Sequence, residues 1–188
     1  MNCNYNPFAN DKVVTDAVAS RILMKICSCK EQWLDLTVHK SYIFDSKRMG
    51  TNAQLLELDK WRVVMRCLLN RDKCALEQDW LFYQTVTVLR PNDKCNEAHL
   101  IVATFDSDKE AENLCNYLRT KFAIFLVAYK QNEKRLKTSA KSDLIWNSFE
   151  YVPVQDFFKA WTDEELYAKY GLDNEEIKFI ESTIKPMA

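Results

Sequence analysis

Glycine is almost absent from this 188-residue chain, which contains only Gly50 and Gly171. Phosphate-binding loops of the P-loop type and the dinucleotide-binding fingerprint of doubly wound α/β folds both need several glycines, because the backbone approaches the cofactor closely there. Two isolated glycines cannot supply such a loop. We therefore expect no nucleotide or S-adenosylmethionine cofactor in this chain, and none of the catalysis that depends on one.

Other absences bear on charge and location. The formal net charge is −1, so the chain lacks the overall positive field that attracts nucleic acid. No apolar run approaches the roughly 20 residues that cross a bilayer, and the polar start at residues 1–6 does not resemble a signal peptide. The seven cysteines match no standard zinc spacing, Cys27 and Cys29 included. We expect a cytoplasmic protein with buried free thiols, no metal and no membrane segment.

The order of hydrophobic patterns predicts an α+β fold. Helical spacing of apolar residues marks residues 11–28 and a long helix from Ser107 to about Lys130. Runs of β-forming residues predict strands at 34–44, 61–69, 81–89, 99–105 and 149–152. We expect a mixed β-sheet packed by the long central helix, with an N-terminal helix and a C-terminal helical hairpin.

The C-terminal hairpin is predicted from its caps. The capping-box pattern, a Thr or Asp followed three residues later by Glu, occurs at 162–165 and again at 173–176. Gly171 stands between the two, where a left-handed C-terminal cap favours glycine. We therefore predict a helical hairpin over 161–188, packed on the same domain as residues 1–160.

Basic side chains are concentrated locally despite the neutral total. Residues 130–142 contain five lysines and arginines against one glutamate, and the polar stretch 131–143 is expected to be an exposed loop. Such cations can neutralise phosphates, and arginine can also bind guanine edges. An ordinary solvated surface is the alternative explanation. The candidate DNA contacts are Lys47, Arg48, Arg62, Arg66, Lys134, Arg135 and Lys137.

Several sequence blocks occur in the order found in a known family. They are Phe105–Asn113, Tyr117–Phe122, Phe149–Phe157, Trp161–Leu172 and Glu176–Met187. Together these blocks resemble the C-terminal target-recognition region of adenine-specific DNA methyltransferases from type II restriction–modification systems. The resemblance is close over residues 91–187 and loose over 12–90.

The resemblance implies a DNA target-recognition module of a bacterial or phage system, without catalysis of its own. In that family this region provides sequence choice on double-stranded DNA, while a separate domain methylates adenine using S-adenosylmethionine. A second hypothesis is a free-standing protein that binds a methyltransferase, a restriction enzyme or another defence complex as a subunit or inhibitor. A third is a metal-dependent nuclease, for which Glu57, Asp59 and Lys60, or alternatively Glu176 and Lys178, are the candidate residues.

Overall fold

The computed structural model describes residues 16–34, 59–66, 86–93, 99–137 and 149–184. These residues contain both helices and an antiparallel sheet, so the general α+β prediction is confirmed. None of the helices in these ranges is long and apolar enough to cross a membrane. The helices are α1 (Ala17–Ser28), α2 (Asp108–Leu118), α3 (Lys121–Lys137), α4 (Asp163–Lys169) and α5 (Asn174–Thr183), and the strands are β1 (Trp61–Arg66), β2 (Thr87–Leu89) and β3 (His99–Phe105).

The described residues belong to two compact units whose segments alternate along the chain. The first unit contains α1, α3, α4 and α5. The second unit contains the three strands and α2. Their described segments are 16–34, 119–137, 149–155 and 161–184 for the first unit, and 59–66, 86–93, 99–118 and 156–160 for the second.

The sheet of the second unit has β1 at its centre, in the order β2–β1–β3. Both described pairings are antiparallel, so the predicted mixed sheet is wrong for these strands. The β1–β3 register shifts between Val63 and Val64, which lie opposite Ala103 and Ile101, so Val102 is an extra residue on β3. Helix α2 packs on this sheet and buries its apolar face there.

The predicted single helix from Ser107 to about Lys130 is wrong, because the chain forms two helices interrupted at residues 119–120. Thr120 immediately precedes the second helix, and its hydroxyl accepts the backbone N–H of Ala123 at 3.2 Å. The carboxylate of Asp163 accepts the next free donors, from Lys121 at 3.1 Å and Phe122 at 2.8 Å. These acceptors satisfy the N–H groups that a new helix leaves without partners.

Helix α3 provides the interior of the first unit. Every residue from Phe122 to Lys130 is buried. The Phe122 ring stacks on Tyr170 at a centroid distance of 5.0 Å, and Phe125 meets Phe179 edge to face at 6.2 Å. The helix continues to Lys137, so the predicted loop over 131–143 is helical up to that residue, and 138–143 lie outside the described residues.

The predicted strand at 149–152 is also wrong. The segment forms a turn, in which Val152 N–H bonds to the carbonyl of Phe149 at 2.9 Å. Pro153 then forms an isolated bridge with Trp33, and Leu34 N–H bonds to Val152 O at 2.8 Å. The strands predicted at 61–69, 81–89 and 99–105 appear as β1, β2 and β3 within the described ranges. Predicted helical residues 11–15 and predicted strand residues 35–44, 67–69 and 81–85 lie outside those ranges.

Both predicted capping boxes are confirmed. Thr162 and Asp173 are the N-caps of α4 and α5, and Glu165 and Glu176 return the hydrogen bond to the respective cap N–H. Gly171 has a φ of +61°, in the left-handed region that favours glycine. The hairpin therefore folds as its local sequence indicates.

Replacing Thr162 with Ala should lower the free energy of unfolding by about 1 kcal/mol, because α4 loses its N-cap acceptor. Urea denaturation followed by circular dichroism measures this change. Thr162→Ser is the matched control, since it keeps the hydroxyl and should remain close to the wild type. Equal stability of the Ala and Ser variants would show that the cap contributes nothing.

Candidate nucleic-acid interface

The structure places the candidate DNA contacts in separate elements. Arg62 and Arg66 lie on β1 in the second unit. Lys134, Arg135 and Lys137 lie in the last two turns of α3 in the first unit. The side chains of these three residues and of Arg66 lie outside the described part, as do Lys47 and Arg48 entirely.

Arg62 is an interior residue, only 1% exposed. Its Nη2 donates to the carbonyl oxygens of Arg90, at 3.3 Å, and Asp93. The Asp93 carboxylate in turn accepts the Arg90 N–H at 2.9 Å, and Asn92 between them has a φ of +68°. Arg62 thus fastens the turn that follows β2, and its guanidinium has almost no exposed surface to offer a phosphate. We exclude it from the candidate interface on that ground.

The end of α3 carries the basic residues that remain candidates. Lys130 is the first basic residue in this part of the helix. Its ammonium lies 2.9 Å from a carboxylate oxygen of Glu150 and 4.3 Å from the ring centroid of Tyr151, so it is already engaged within the unit. Lys134 and Lys137 follow one and two turns later on the same helix face, with Arg135 about 100° around the axis from Lys134. The last two turns therefore carry three cations on a helix that begins in the interior of its unit.

The first unit also contains a buried carboxylate, which its sequence position marked both as part of a cap and as a nuclease candidate. Glu176 has no exposed side-chain surface. Its Oε2 accepts hydrogen bonds from Lys25 Nζ at 2.6 Å and from the backbone N–H of Asp173 at 2.9 Å. Its Oε1 has no hydrogen-bond partner in the described structure and lies 4.0 Å from Arg21 Nε. The carboxylate therefore joins α1 to the start of α5.

Arg21 and Asp173 lie next to this carboxylate, and the pKa values of both are shifted. Arg21 pairs with Glu175 at 2.6 Å, and the hydrogen bond and charge of Glu175 raise the pKa of the Arg21 guanidinium. The backbone N–H of Glu176 donates to Asp173 and is the main cause that holds the pKa of the Asp173 carboxyl below its usual value, against a smaller effect of burial. Lys25, 3.7 Å from Asp173, acts in the same direction.

A second cluster lies where α3 begins. Burial raises the pKa of Asp163, although the two backbone N–H groups of α3 that it accepts lower it. Burial also raises the pKa of Tyr167, together with the charges of Asp163 and Glu181. For Glu181, burial opposes ionisation, but hydrogen bonds from Lys121 Nζ and Tyr167 Oη outweigh it and lower the pKa. The cluster ties α3, α4 and α5 together.

The sequence contains no local signal for these pairings. Lys25 and Glu176 are separated by 151 positions, and Phe122 and Asp163 by 41. Only the capping boxes, whose two residues are three positions apart, could be predicted directly from the sequence. Both clusters hold carboxylates in ion pairs and backbone caps, an arrangement that stabilises helix contacts.

The cysteine prediction is partly wrong. Among the cysteines within the described ranges, Cys115 is buried as expected, whereas Cys27 and Cys29 are exposed at the end of α1. Cys27 and Cys29 are free thiols, and the Cys115 thiol donates to the carbonyl of Val86 at 3.6 Å. The described residues contain no group of three or more His, Cys, Asp or Glu placed to hold a metal ion.

Comparison with known proteins gives no family assignment: no protein-family model, no curated protein and no solved structure matches this chain. The resemblance to methyltransferase target-recognition regions therefore stays a hypothesis.

A double-mutant cycle on Lys25→Met and Glu176→Gln should give a coupling energy of about 1 to 3 kcal/mol, because the pair is hydrogen-bonded and one partner is fully buried. Urea denaturation of the four proteins measures it. The matched control is the exposed pair Arg21 and Glu175, for which the coupling should be smaller because solvent screens both charges. Equal coupling in the two cycles would contradict the assignment of Glu176 as the central contact.

Acidification should weaken the fold partly through Asp173. Its lowered pKa means that its stabilising effect is complete above the unfolded value of about 3.9 and is lost as the pH falls through the folded value. Asp173→Asn keeps a cap acceptor without the charge, so its unfolding free energy should fall less steeply between pH 5 and 3. Urea denaturation across this range tests it, with Glu164→Gln as a control for removal of an exposed carboxylate. An unchanged pH slope in Asp173→Asn would contradict the prediction.

Proposed function

We propose that this protein is a non-catalytic DNA target-recognition module, and that the basic end of α3 contacts the phosphate backbone. The observation that carries the proposal is the position of Lys134, Arg135 and Lys137 in the last two turns of a helix whose first half is buried. The resemblance of residues 91–187 to methyltransferase target-recognition regions supports the same role. In this proposal catalysis belongs to a separate methyltransferase or restriction subunit.

A fixed helix suits this task for a physical reason. Phosphate contacts determine how a protein is positioned on a duplex, so the groups that make them have to be held in place before binding. Packing of residues 122–130 supplies that rigidity. Lys47, Arg48 and Arg66 are further proposed contacts, and sequence-specific contacts to base edges would involve an arginine among them.

The same three cations have a competing structural explanation. The carbonyl end of a helix carries partial negative charge, so lysine and arginine there stabilise the helix by a few tenths of a kcal/mol to about 1 kcal/mol each. The two explanations differ in what they predict. A purely structural role affects the melting temperature alone, whereas phosphate contact also affects the salt dependence of DNA binding.

We expect the wild type to bind duplex DNA with an affinity that falls steeply as salt rises. The variant Lys134→Gln/Arg135→Gln/Lys137→Gln should bind more weakly, and the slope of log K against log salt should decrease in magnitude by about 2.7 if three phosphate contacts are lost. Fluorescence anisotropy of a labelled duplex between 50 and 200 mM salt measures both quantities. Glutamine is suitable because its helix propensity is close to that of lysine and arginine.

The matched control removes the same charge elsewhere, at exposed Lys30, Lys109 and Lys178, by substitution with glutamine. This variant should keep most of the salt slope. Two results would overturn the proposal: no DNA binding by the wild type at low salt, or equal slopes for the two triple variants. Circular dichroism of both variants establishes that any loss of binding is not a loss of folding.

A second candidate function is binding to a methyltransferase, restriction enzyme or other defence complex as a subunit or inhibitor. It is favoured by the charge of residues 161–184, which contain seven aspartates and glutamates against two lysines. The exposed carboxylates among them repel DNA and complement a basic protein. Absence of DNA binding together with a stable complex with a purified adenine methyltransferase would favour this function over the first.

A further inference from the structure

The ammonium group of Lys169 lies among four side chains of the first unit. Its Nζ is 2.7 Å from Glu31 Oε1 and donates a second hydrogen bond of 2.7 Å to Gln155 Oε1. The ring centroids of Trp161 and Tyr170 lie 5.1 and 5.3 Å from the same nitrogen. Both distances are within the roughly 6 Å over which a cation is attracted to an aromatic face. We call Glu31, Gln155, Trp161 and Tyr170 the ammonium site.

The acceptors of this site are oriented by contacts that do not involve Lys169. The Tyr170 hydroxyl donates to Glu31 Oε2 and accepts from Gln155 Nε2 at 2.8 Å. Gln155 Nε2 also approaches the carbonyl of Pro153 at 3.4 Å. Because the amide nitrogen is engaged in this way, the amide oxygen is left to face the ammonium.

Burial and backbone pairing reinforce this arrangement. Gln155 and Tyr170 are 5% and 4% exposed. The backbone N–H of Val154 bonds to the carbonyl of Gln32 at 2.7 Å. This bond keeps the backbone segment that carries Glu31 close to the segment that carries Gln155. The acceptors are thus supported by the fold of the first unit, and removal of Lys169 should leave them in place.

The site is open to solvent on the side of its occupant. The side chains of Lys169 and Glu31 are 32% and 23% exposed. The partly exposed carboxylate of Glu31 carries the negative charge of this site, which favours cationic ligands. A cation from solution can therefore approach the place where the Lys169 ammonium lies.

We propose that Glu31, Gln155, Trp161 and Tyr170 form a binding site for a primary alkylammonium group, which the isolated chain fills with its own Lys169. A ligand from solution has to displace the ammonium group of Lys169. Because Lys169 belongs to the same chain, its effective concentration at the site is high, and it competes strongly with the ligand. The proposal is independent of DNA binding, because it concerns none of the residues assigned to that role.

The hydrogen-bond acceptors specify the kind of ammonium. Two oxygens at 2.7 Å require N–H donors on the ligand, which a primary ammonium supplies and a quaternary ammonium lacks. Two aromatic faces alone would accept either. Methylammonium should therefore bind better than tetramethylammonium, the opposite of the order expected for a cage formed by aromatic rings alone.

Removal of the occupant provides the test. Lys169→Ala should lower the melting temperature, and methylammonium chloride at about ten times its dissociation constant should raise it again by about 3 to 5 °C. The wild type should respond at least tenfold more weakly, since Lys169 already fills the site. If Lys169→Ala does not fold unaided, recovery of its helical circular dichroism on addition of methylammonium is the equivalent measurement.

Three comparisons make the result specific. Sodium chloride and tetramethylammonium chloride at equal ionic strength should restore little stability. Glu31→Gln/Lys169→Ala should lose the response to methylammonium, because the site loses its carboxylate. A backbone-blocked lysine tests whether a lysine side chain, rather than only a free small amine, fits the site.

The proposal is overturned if methylammonium restores Lys169→Ala no better than sodium chloride does. It is also overturned if the Glu31→Gln double variant responds equally, or if tetramethylammonium is the better ligand. Response to both methylammonium and the blocked lysine would identify a protein lysine as an accessible ligand, whereas response to methylammonium alone would restrict the site to small amines.

Discussion

The first unit depends on one buried carboxylate. Glu176 accepts the N–H of Asp173 and so completes the cap of α5, while the same oxygen receives the ammonium of Lys25 from α1. A buried carboxylate without such donors would be destabilised by desolvation, and it is tolerated here because a charged and a backbone donor meet it together. Its position explains why α1, distant in sequence, belongs to the same unit as the C-terminal hairpin. The neighbouring pair of Arg21 and Glu175 is exposed and adds orientation more than stability.

A second long-range contact sets where α3 begins. Sequence periodicity runs without interruption from residue 107 to 130, because α2 and α3 both bury apolar residues at helical spacing. The separation arises from polar atoms instead. Thr120 provides a local cap, and Asp163 reaches the first free N–H groups of α3 from 41 residues away. Asp163 is itself the first residue of α4, so one carboxylate fixes the start of α3 in relation to the hairpin.

Prediction from sequence succeeded where the determining signal is local. The caps at Thr162 and Asp173 and the left-handed Gly171 depend on side chains within three residues of the backbone groups concerned, and all three were recognisable. Strand positions were found from runs of β-forming residues, but their antiparallel pairing depends on partners far along the chain. Arg62 shows why functional residues are harder to predict from sequence than caps. An arginine on a strand has the same sequence pattern whether its side chain faces solvent or fastens a turn. Thr120 carried a usable signal, a hydroxyl three residues before a helical N–H, which the continuous apolar stripe obscured.

Net charge gives little information about the ligands of this protein, because acidic and basic residues lie in different places. The acidic hairpin contacts the start of α3, and the basic residues lie at the end of that helix. Its first residue, Lys121, pairs with Glu181 of the acidic hairpin, whereas its last turns carry the three basic residues. At a rise of 1.5 Å per residue these turns lie about 20 Å further along the helix. That is more than twice the roughly 8 Å screening length at physiological salt. If the basic end binds DNA and the site around Lys169 binds an ammonium group, as proposed, the two interactions therefore need not compete except at low ionic strength.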